Sequence, residues 1–328
     1  MSELGVRIGP LTLKNPVIAG SGEATATAAQ IRACLDAGAA AVVAKSTNES
    51  EVAKAQLRAA DYVLLDEQLM PRPLGPARRG DSLFCRSGLV DEAFDVWLAK
   101  LAVLDAEAAA RGAYVVPSLI VADLDAAIGM ARTFEQAGLR WLELNVGAPH
   151  AQEAAAGAIA TGGELVRPIR EAVSLPLSVK VASLDDAELA LAAGADAVVV
   201  ATRAQGFVPD LETRRPVLGT FAAIGGAWAV PLTCRELAKG RQRLGHDACL
   251  IGTNGARDGL DVARFLLAGA TAAQLTSAVI TDGPRILTRA IEQLDAYLDE
   301  QGASAAELIG AAADAVQTYE EAALERRR

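Results

Sequence analysis

Lys45, Asn145 and Lys180 are the residues whose types and placement most invite chemistry. Each closes or sits in a short apolar run: Lys45 follows Ala41 to Ala44, Asn145 follows Trp141 to Leu144, and Lys180 lies within Leu177 to Val181. An ammonium group at the end of a buried strand is costly unless it is paired or used. It could stabilise negative charge on a bound ring system, form a Schiff base, or make a structural ion pair. Ser21, Thr202, Asn254 and Ser277 close other apolar runs. Gly252-Thr253-Asn254-Gly255 follows one run and Thr276-Ser277 the next. Such turns suit a phosphate, because glycine lets backbone N–H groups approach an anion and a following helix adds its positive end.

These residues need elements that bring them to one place. Apolar runs near residues 17, 41, 114, 141, 177, 197, 249 and 272 read as eight strands, separated by helix patterns that often stop at glycine. Strict alternation of strand and helix predicts an α/β chain folded as a (β/α)8 barrel, with a doubly wound sheet as the alternative. The polar residues then lie at the strand C-termini, the catalytic face of such a barrel, with the two turns in its usual phosphate position. Residues 5–14 predict a hairpin that plugs one end. Residues 66–91, with Pro71, Pro73, Pro76 and several glycines, predict a stretch without regular structure over the barrel mouth, carrying Arg72, Arg78, Arg79 and Arg86. A second long excursion covers 203–228, and a Gly/Ala-rich loop covers 151–163. The expected division is a barrel over 1–302 and a helical tail over 303–328, packed on the barrel exterior or at a subunit contact.

Composition narrows the function. Of 328 residues, 52% are hydrophobic but only 4% aromatic, so Ala, Val and Leu must build the interior. A formal charge of −10 argues against nucleic acid or an anionic membrane as the main partner. No long apolar span and no signal-peptide pattern appear, which makes the cytoplasm the expected location. Cys34, Cys85, Cys234 and Cys249 have no metal-ligand or redox-pair spacing, and only His150 and His246 are histidines, so no metal site is expected.

Several segments together resemble the dihydroorotate dehydrogenase family of flavin mononucleotide (FMN) enzymes, over about Leu4 to Gly310. They are Leu11 to Gly22, Lys45-Ser46-Thr47, Leu142-Glu143-Leu144-Asn145, Val179-Lys180-Val181, Gly252 to Gly255 with Gly259-Leu260-Asp261-Val262, and Gln274 to Ala278. Their order and spacing carry the likeness. The resemblance implies that Gly20, Ser21, Lys45, Ser46, Asn145 and Lys180 surround the flavin ring, with Lys180 at its N1/C2=O edge. It implies that Gly225, Gly226, Gly252, Asn254, Gly255, Thr276 and Ser277 hold the ribityl phosphate. A homodimer is the family expectation, and any electron-transfer partner must be a separate protein. Dihydropyrimidine dehydrogenases share part of this pattern.

The departures fall on the substrate side. The family's Asn-x-Ser-Cys-Pro-Asn loop, whose Cys or a second Ser is the base, reads Asn145-Val146-Gly147-Ala148-Pro149-His150 here. The family's Asn-x-x-Gly-Leu-Pro-Asn reads Cys85-Arg86-Ser87-Gly88-Leu89-Val90-Asp91, and an Asn-Ser or Asn-Thr pair reads Ala201-Thr202. Each lost polar partner is worth about 1–3 kcal/mol of recognition, so orotate is not the expected substrate. Lys45, Arg86, Asn145 and Thr202 are the expected substrate contacts. Cys85 and His150 are candidates to replace the base beside Lys180, with Thr161 a weaker third. The expected activity is flavin-dependent oxidation or reduction of a C–C bond in a small ring. The alternatives are a flavin-binding subunit without that chemistry and a Schiff-base lyase on a phosphorylated substrate.

Overall fold

The computed structural model describes residues 3–48, 60–121, 123–146, 162–200 and 204–325. Its centre is a ring of eight parallel staves: β1 (Val17–Ala19), β2 (Ala41–Val43), β3 (Tyr114–Val116 continuing as Ser118–Leu119), β4 (Leu142–Asn145), β5 (Leu177–Lys180), β6 (Ala197–Val200), β7 (Leu250–Thr253) and β8 (Ala272–Leu275). Hydrogen bonding runs from β3 through β2, β1, β8, β7, β6 and β5 to β4. The ring closes at β3, whose first half pairs with β2 and whose second half pairs with β4. Pro117 divides the halves because it has no N–H to give. Its carbonyl still accepts Glu143 N at 2.9 Å. The fold is therefore the (β/α)8 barrel that the alternation predicts.

The apolar residues of the staves are Val, Ala, Ile and Leu, nearly all with no exposure. Helices are started by side chains that accept an otherwise unpaired N–H: Thr27 for Ala28–Asp36, Asp123 for Leu124–Gln136, Ser183 for Leu184–Ala192 and Asp258 for Gly259–Leu267. Val6–Ile8 and Leu11–Leu13 form the predicted hairpin. It lies at the N-terminal end of the barrel, where Cys249 Sγ reaches Arg7 O and Gly9 meets Asp196.

The expectation that 66–91 lacks regular structure is wrong. Asp61–Leu65, Pro71–Arg72 and Ser82–Arg86 pair antiparallel, and Ala204–Gly206 and Ala222–Gly226 complete a five-stranded sheet. The two excursions are thus one element. Pro71 sits on the edge strand, where a missing N–H is tolerated. One face of this sheet buries Leu65, Phe84, Val208 and Ala222 as a second small core.

After the helix Arg285–Gln301 the tail runs along the barrel exterior, with Gly310 N on Leu266 O at 2.8 Å and Arg241 bidentate to Asp314 at 2.7 Å. The predicted loop at 151–163 lies, apart from the backbone start of the helix Gly162–Ala172, outside the described residues.

Candidate active site

Asn145 and Lys180 end β4 and β5 opposite each other in register, both half-buried. Lys45 and Ser46 follow β2 and are buried. Ser21 Oγ lies 3.2 Å from Ser46 Oγ, which lies 2.8 Å from Ser118 Oγ, so a row of hydroxyls crosses the mouth from β1 to β3. Lys45 is ion-paired with Glu23, just past β1. The same carboxylate accepts the Tyr62 hydroxyl from the five-stranded sheet and, more weakly, Gly88 N at 3.4 Å. Glu23 therefore ties the sheet to the barrel mouth. Gly20 is required by the close pass of β1 and β8, since a Cβ there would meet Thr276 Oγ1 at 2.1 Å.

Next to β1 on the same rim lie the two turns that follow β7 and β8. Asn254 (φ 72°) and Gly255 (φ 106°) form a left-handed turn after β7. A Cβ on Gly255 would meet Val230 N at 2.8 Å, so the turn lies directly against the start of the helix Val230–Leu244. Thr233 Oγ1 donates to Asn254 O at 2.8 Å and fixes that contact. Gly225 and Gly226 lead into the same helix, and a Cβ on Gly226 would strike Asp81 O at 2.6 Å. Unlike the capped helices above, this one has no side-chain cap and no acidic residue in its first turn. Val230 N donates to Ala227 O and Pro231 has no N–H, so what this helix start offers an anion is its dipole, set against a glycine-lined turn whose backbone a ligand could approach closely. Thr276 Oγ1, buried without a hydrogen-bond partner, lies beside Gly20. These features fit a phosphorylated cofactor laid between the cradle and the lysine side.

The floor of the site is polar. Gln274 on β8 reaches across the barrel interior to Glu143 on β4, with Nε2 donating to Oε2 at 2.6 Å. Both residues are buried, Glu143 completely. Burial pushes the Glu143 carboxyl above the usual carboxylate range, while Lys180 and the Gln274 bond pull it down.

Among the predicted site residues, Gly20, Ser21, Lys45, Ser46, Asn145 and Lys180 come together at the mouth. Gly225, Gly226, Asn254 and Gly255 meet at the helix start, with Thr276 and Ser277 closing β8. Gly252 also serves barrel–helix packing, since a Cβ there would meet Phe265 at 2.7 Å. Cys85 lies in a strand and is fully buried; Phe84 beside it faces the small core, so Cys85 points to the other face, as does its cross-strand neighbour Tyr62. Arg86 is ion-paired with Asp61, its cross-strand partner. Of the other arginines of this region, Arg72 pairs with Asp81 and Arg79 with Asp258 and Asp261. His150, Thr161 and Thr202 lie outside the described residues. Glu23, Tyr62, Glu143 and Gln274 were missed. A charged residue inside the apolar run Leu142 to Leu144 was a readable signal for Glu143; no local pattern links Tyr62 to Glu23.

Among the described residues no group of His, Cys, Asp and Glu could hold a metal, and no helix is long and apolar enough to cross a membrane. The profile of the family described as dihydroorotate dehydrogenase matches residues 71–298. A protein of Thermoplasma acidophilum named dihydroorotate dehydrogenase B (NAD(+)), catalytic subunit, is 25% identical over 92% of this chain and 95% of its own length. Proteins of the same name from Methanothermobacter thermautotrophicus and Desulforudis audaxviator are 31% and 34% identical, each over 53% of this chain. The chain spans 60% and 59% of the length of those two relatives.

Proposed function

The chain belongs to the dihydroorotate dehydrogenase family, and we propose that it is an FMN-dependent oxidoreductase acting on a CH–CH or C=C bond of a small ring other than orotate, an N-heterocycle by preference. The observation that carries this reading is the pairing of an uncapped helix start at the Asn254-Gly255 turn with Lys180 and Asn145 on the same rim. Bound flavin supplies hydride transfer at its N5, and the protein supplies position and proton management. Gly225, Gly226, Asn254, Gly255, Thr276 and Ser277 hold the phosphate. Gly20, Ser21, Ser46 and Asn145 line the ring, and Lys180 places positive charge where the ring gains electron density on reduction.

The substrate side differs from the family pattern, and this favours another ring. Ala148 cannot accept a proton. His150 is the proposed base, because imidazole as a side-chain type suits proton transfer near neutrality, and Cys85 the second candidate. Lys45, Arg86, Asn145 and Thr202 are proposed to contact the substrate; Lys45 and Arg86 act there as members of ion pairs with Glu23 and Asp61. The named relatives are catalytic subunits, which supports a separate electron-transfer partner for this chain. A second copy of the chain and a cytoplasmic setting are part of the same proposal.

The test is a visible spectrum of the purified protein, then anaerobic reduction and mixing with unsaturated heterocycles that include orotate and uracil. Reoxidation by one ring, and not by orotate, supports the reading. Flavin that no ring reoxidises favours a flavin-binding subunit without dehydrogenase chemistry. A protein that neither carries nor takes up FMN overturns the cofactor assignment, and borohydride trapping of a substrate adduct would then point to Schiff-base chemistry.

A further inference from the structure

The carboxyl of Glu143 has no place in the reading above. It sits on β4, and its amide partner Gln274 sits on β8, four staves away around the ring. The 2.6 Å bond between them therefore bridges the barrel interior. That bond uses one terminal atom of each side chain. The other two, Glu143 Oε1 and Gln274 Oε1, are both buried and both lack a hydrogen-bond partner. Two orphaned acceptors at one junction are costly, because each loses its water without replacement. Ser178, opposite Glu143 in register, accepts Trp141 Nε1 at 3.1 Å, and its hydroxyl makes no bond to Glu143 Oε1.

One proton on Glu143 would relieve this junction. On Glu143 Oε1 it converts an acceptor into a donor, and a carboxylic acid facing an amide head to head makes two parallel hydrogen bonds, N–H to O=C and O–H to O=C. The charged group that acts on Glu143 among the described residues is Lys180, one stave away and two positions nearer the mouth. An ionised Glu143 would cancel much of that lysine's field within the barrel. A neutral one does not.

We propose that Glu143 is held as an undissociated acid in a cyclic pair with Gln274, and that it acts as a positioning residue whose neutrality leaves the charge of Lys180 directed at the bound ring. The second clause rests on the flavin reading; the first does not. Complete burial favours the neutral form independently of the pairing geometry.

Infrared spectra of the whole protein decide the first clause with or without flavin. Wild type minus Glu143→Gln should show the C=O stretch of an undissociated carboxylic acid, persistent through neutral pH and shifted in heavy water. Gln274→Met should keep that band and move it up in frequency, because the acid loses its acceptor. Should Glu143→Gln fail to fold, carboxyl-labelled glutamate in the wild-type chain gives the same answer through one carbon resonance that does not titrate with the rest. Ionised-carboxylate bands alone would overturn the proposal. For the second clause the midpoint potential of bound FMN is measured in Glu143→Gln. An unchanged potential is expected, because one neutral group replaces another. A rise would mean that a negative charge had been removed, and would overturn it. A protein without flavin would defeat the functional reading while leaving the infrared result intact.

Discussion

Gly255→Ala tests the phosphate cradle most directly. The wild-type residue has φ 106°, and an added Cβ would lie 2.8 Å from Val230 N and 3.2 Å from Ala229 C. Left-handed backbone costs alanine about 1–2 kcal/mol. Crowding against backbone atoms, which cannot swing aside, adds about 1–3 kcal/mol. The turn and the helix start must move apart to relieve it, and the backbone groups proposed to hold the phosphate move with them. Losing one hydrogen bond to a charged group is worth about 1.5–3 kcal/mol, or roughly 10- to 100-fold in Kd. Gly245 is the matched control: it ends the same helix at φ 95°, with nothing within 4 Å of an added Cβ. Gly245→Ala should lower Tm through backbone strain and leave FMN affinity intact. Quenching of FMN fluorescence by apoprotein gives Kd, and thermal melts of the apoproteins separate stability from binding. If Gly255→Ala binds FMN as tightly as Gly245→Ala, the turn is not the phosphate site.

Other outcomes follow from the same structure. Lys180→Met should lower the midpoint potential of bound FMN in a spectroelectrochemical titration, since a positive charge near the ring favours the reduced form; an unaltered potential would place Lys180 elsewhere. Arg79→Ala strips two hydrogen bonds from the fully buried Asp261, which keeps Arg264 and Arg257 N. Because Arg79 is half exposed, the loss in urea unfolding should be about 1–2 kcal/mol, below the 3–5 of a fully buried pair. A carboxyl raised in the fold binds more protons there than in the unfolded chain. Stability should therefore decline as pH climbs from the unfolded glutamate value of about 4.3 toward the raised folded value, and Glu143→Gln should remove that part of the slope in denaturation curves. Cys34, buried and pushed up to about 12, should resist thiol reagents at pH 8 until unfolding, whereas the half-buried Cys234 and Cys249 should label first.

Legibility tracked how local each feature is. Strand C-termini were readable because a buried run ends abruptly in a polar residue, as at Lys45, Asn145 and Thr276. Helix ends were readable where a glycine follows the pattern, as at Gly138, Gly194 and Gly269, all of which adopt positive φ. The five-stranded sheet was not, because its strands are short, carry proline, and satisfy their hydrogen bonds with a segment far along the chain. Tyr62 on Glu23 and Gln274 on Glu143 stayed hidden for the same reason: each is a meeting of residues that only closure of the ring and docking of the sheet bring together.

That sheet also sets a clock for biosynthesis. Ser82–Arg86 finds one neighbour at once in Asp61–Leu65, but its other neighbour, Ala222–Gly226, emerges from the ribosome about 140 residues later. At roughly 5–20 residues per second, the wait is on the order of 7–30 s. Until then Phe84 and Leu65 lack the cover of Ala222 and Val208, and one edge of a nascent hairpin stands open. The late strand runs directly into the helix start at Val230, so the cap over the mouth and the cradle are completed in one event. A chain stalled before residue 222 would present an adhesive edge and no place for a cofactor, which makes this interval the point at which a chaperone would matter most.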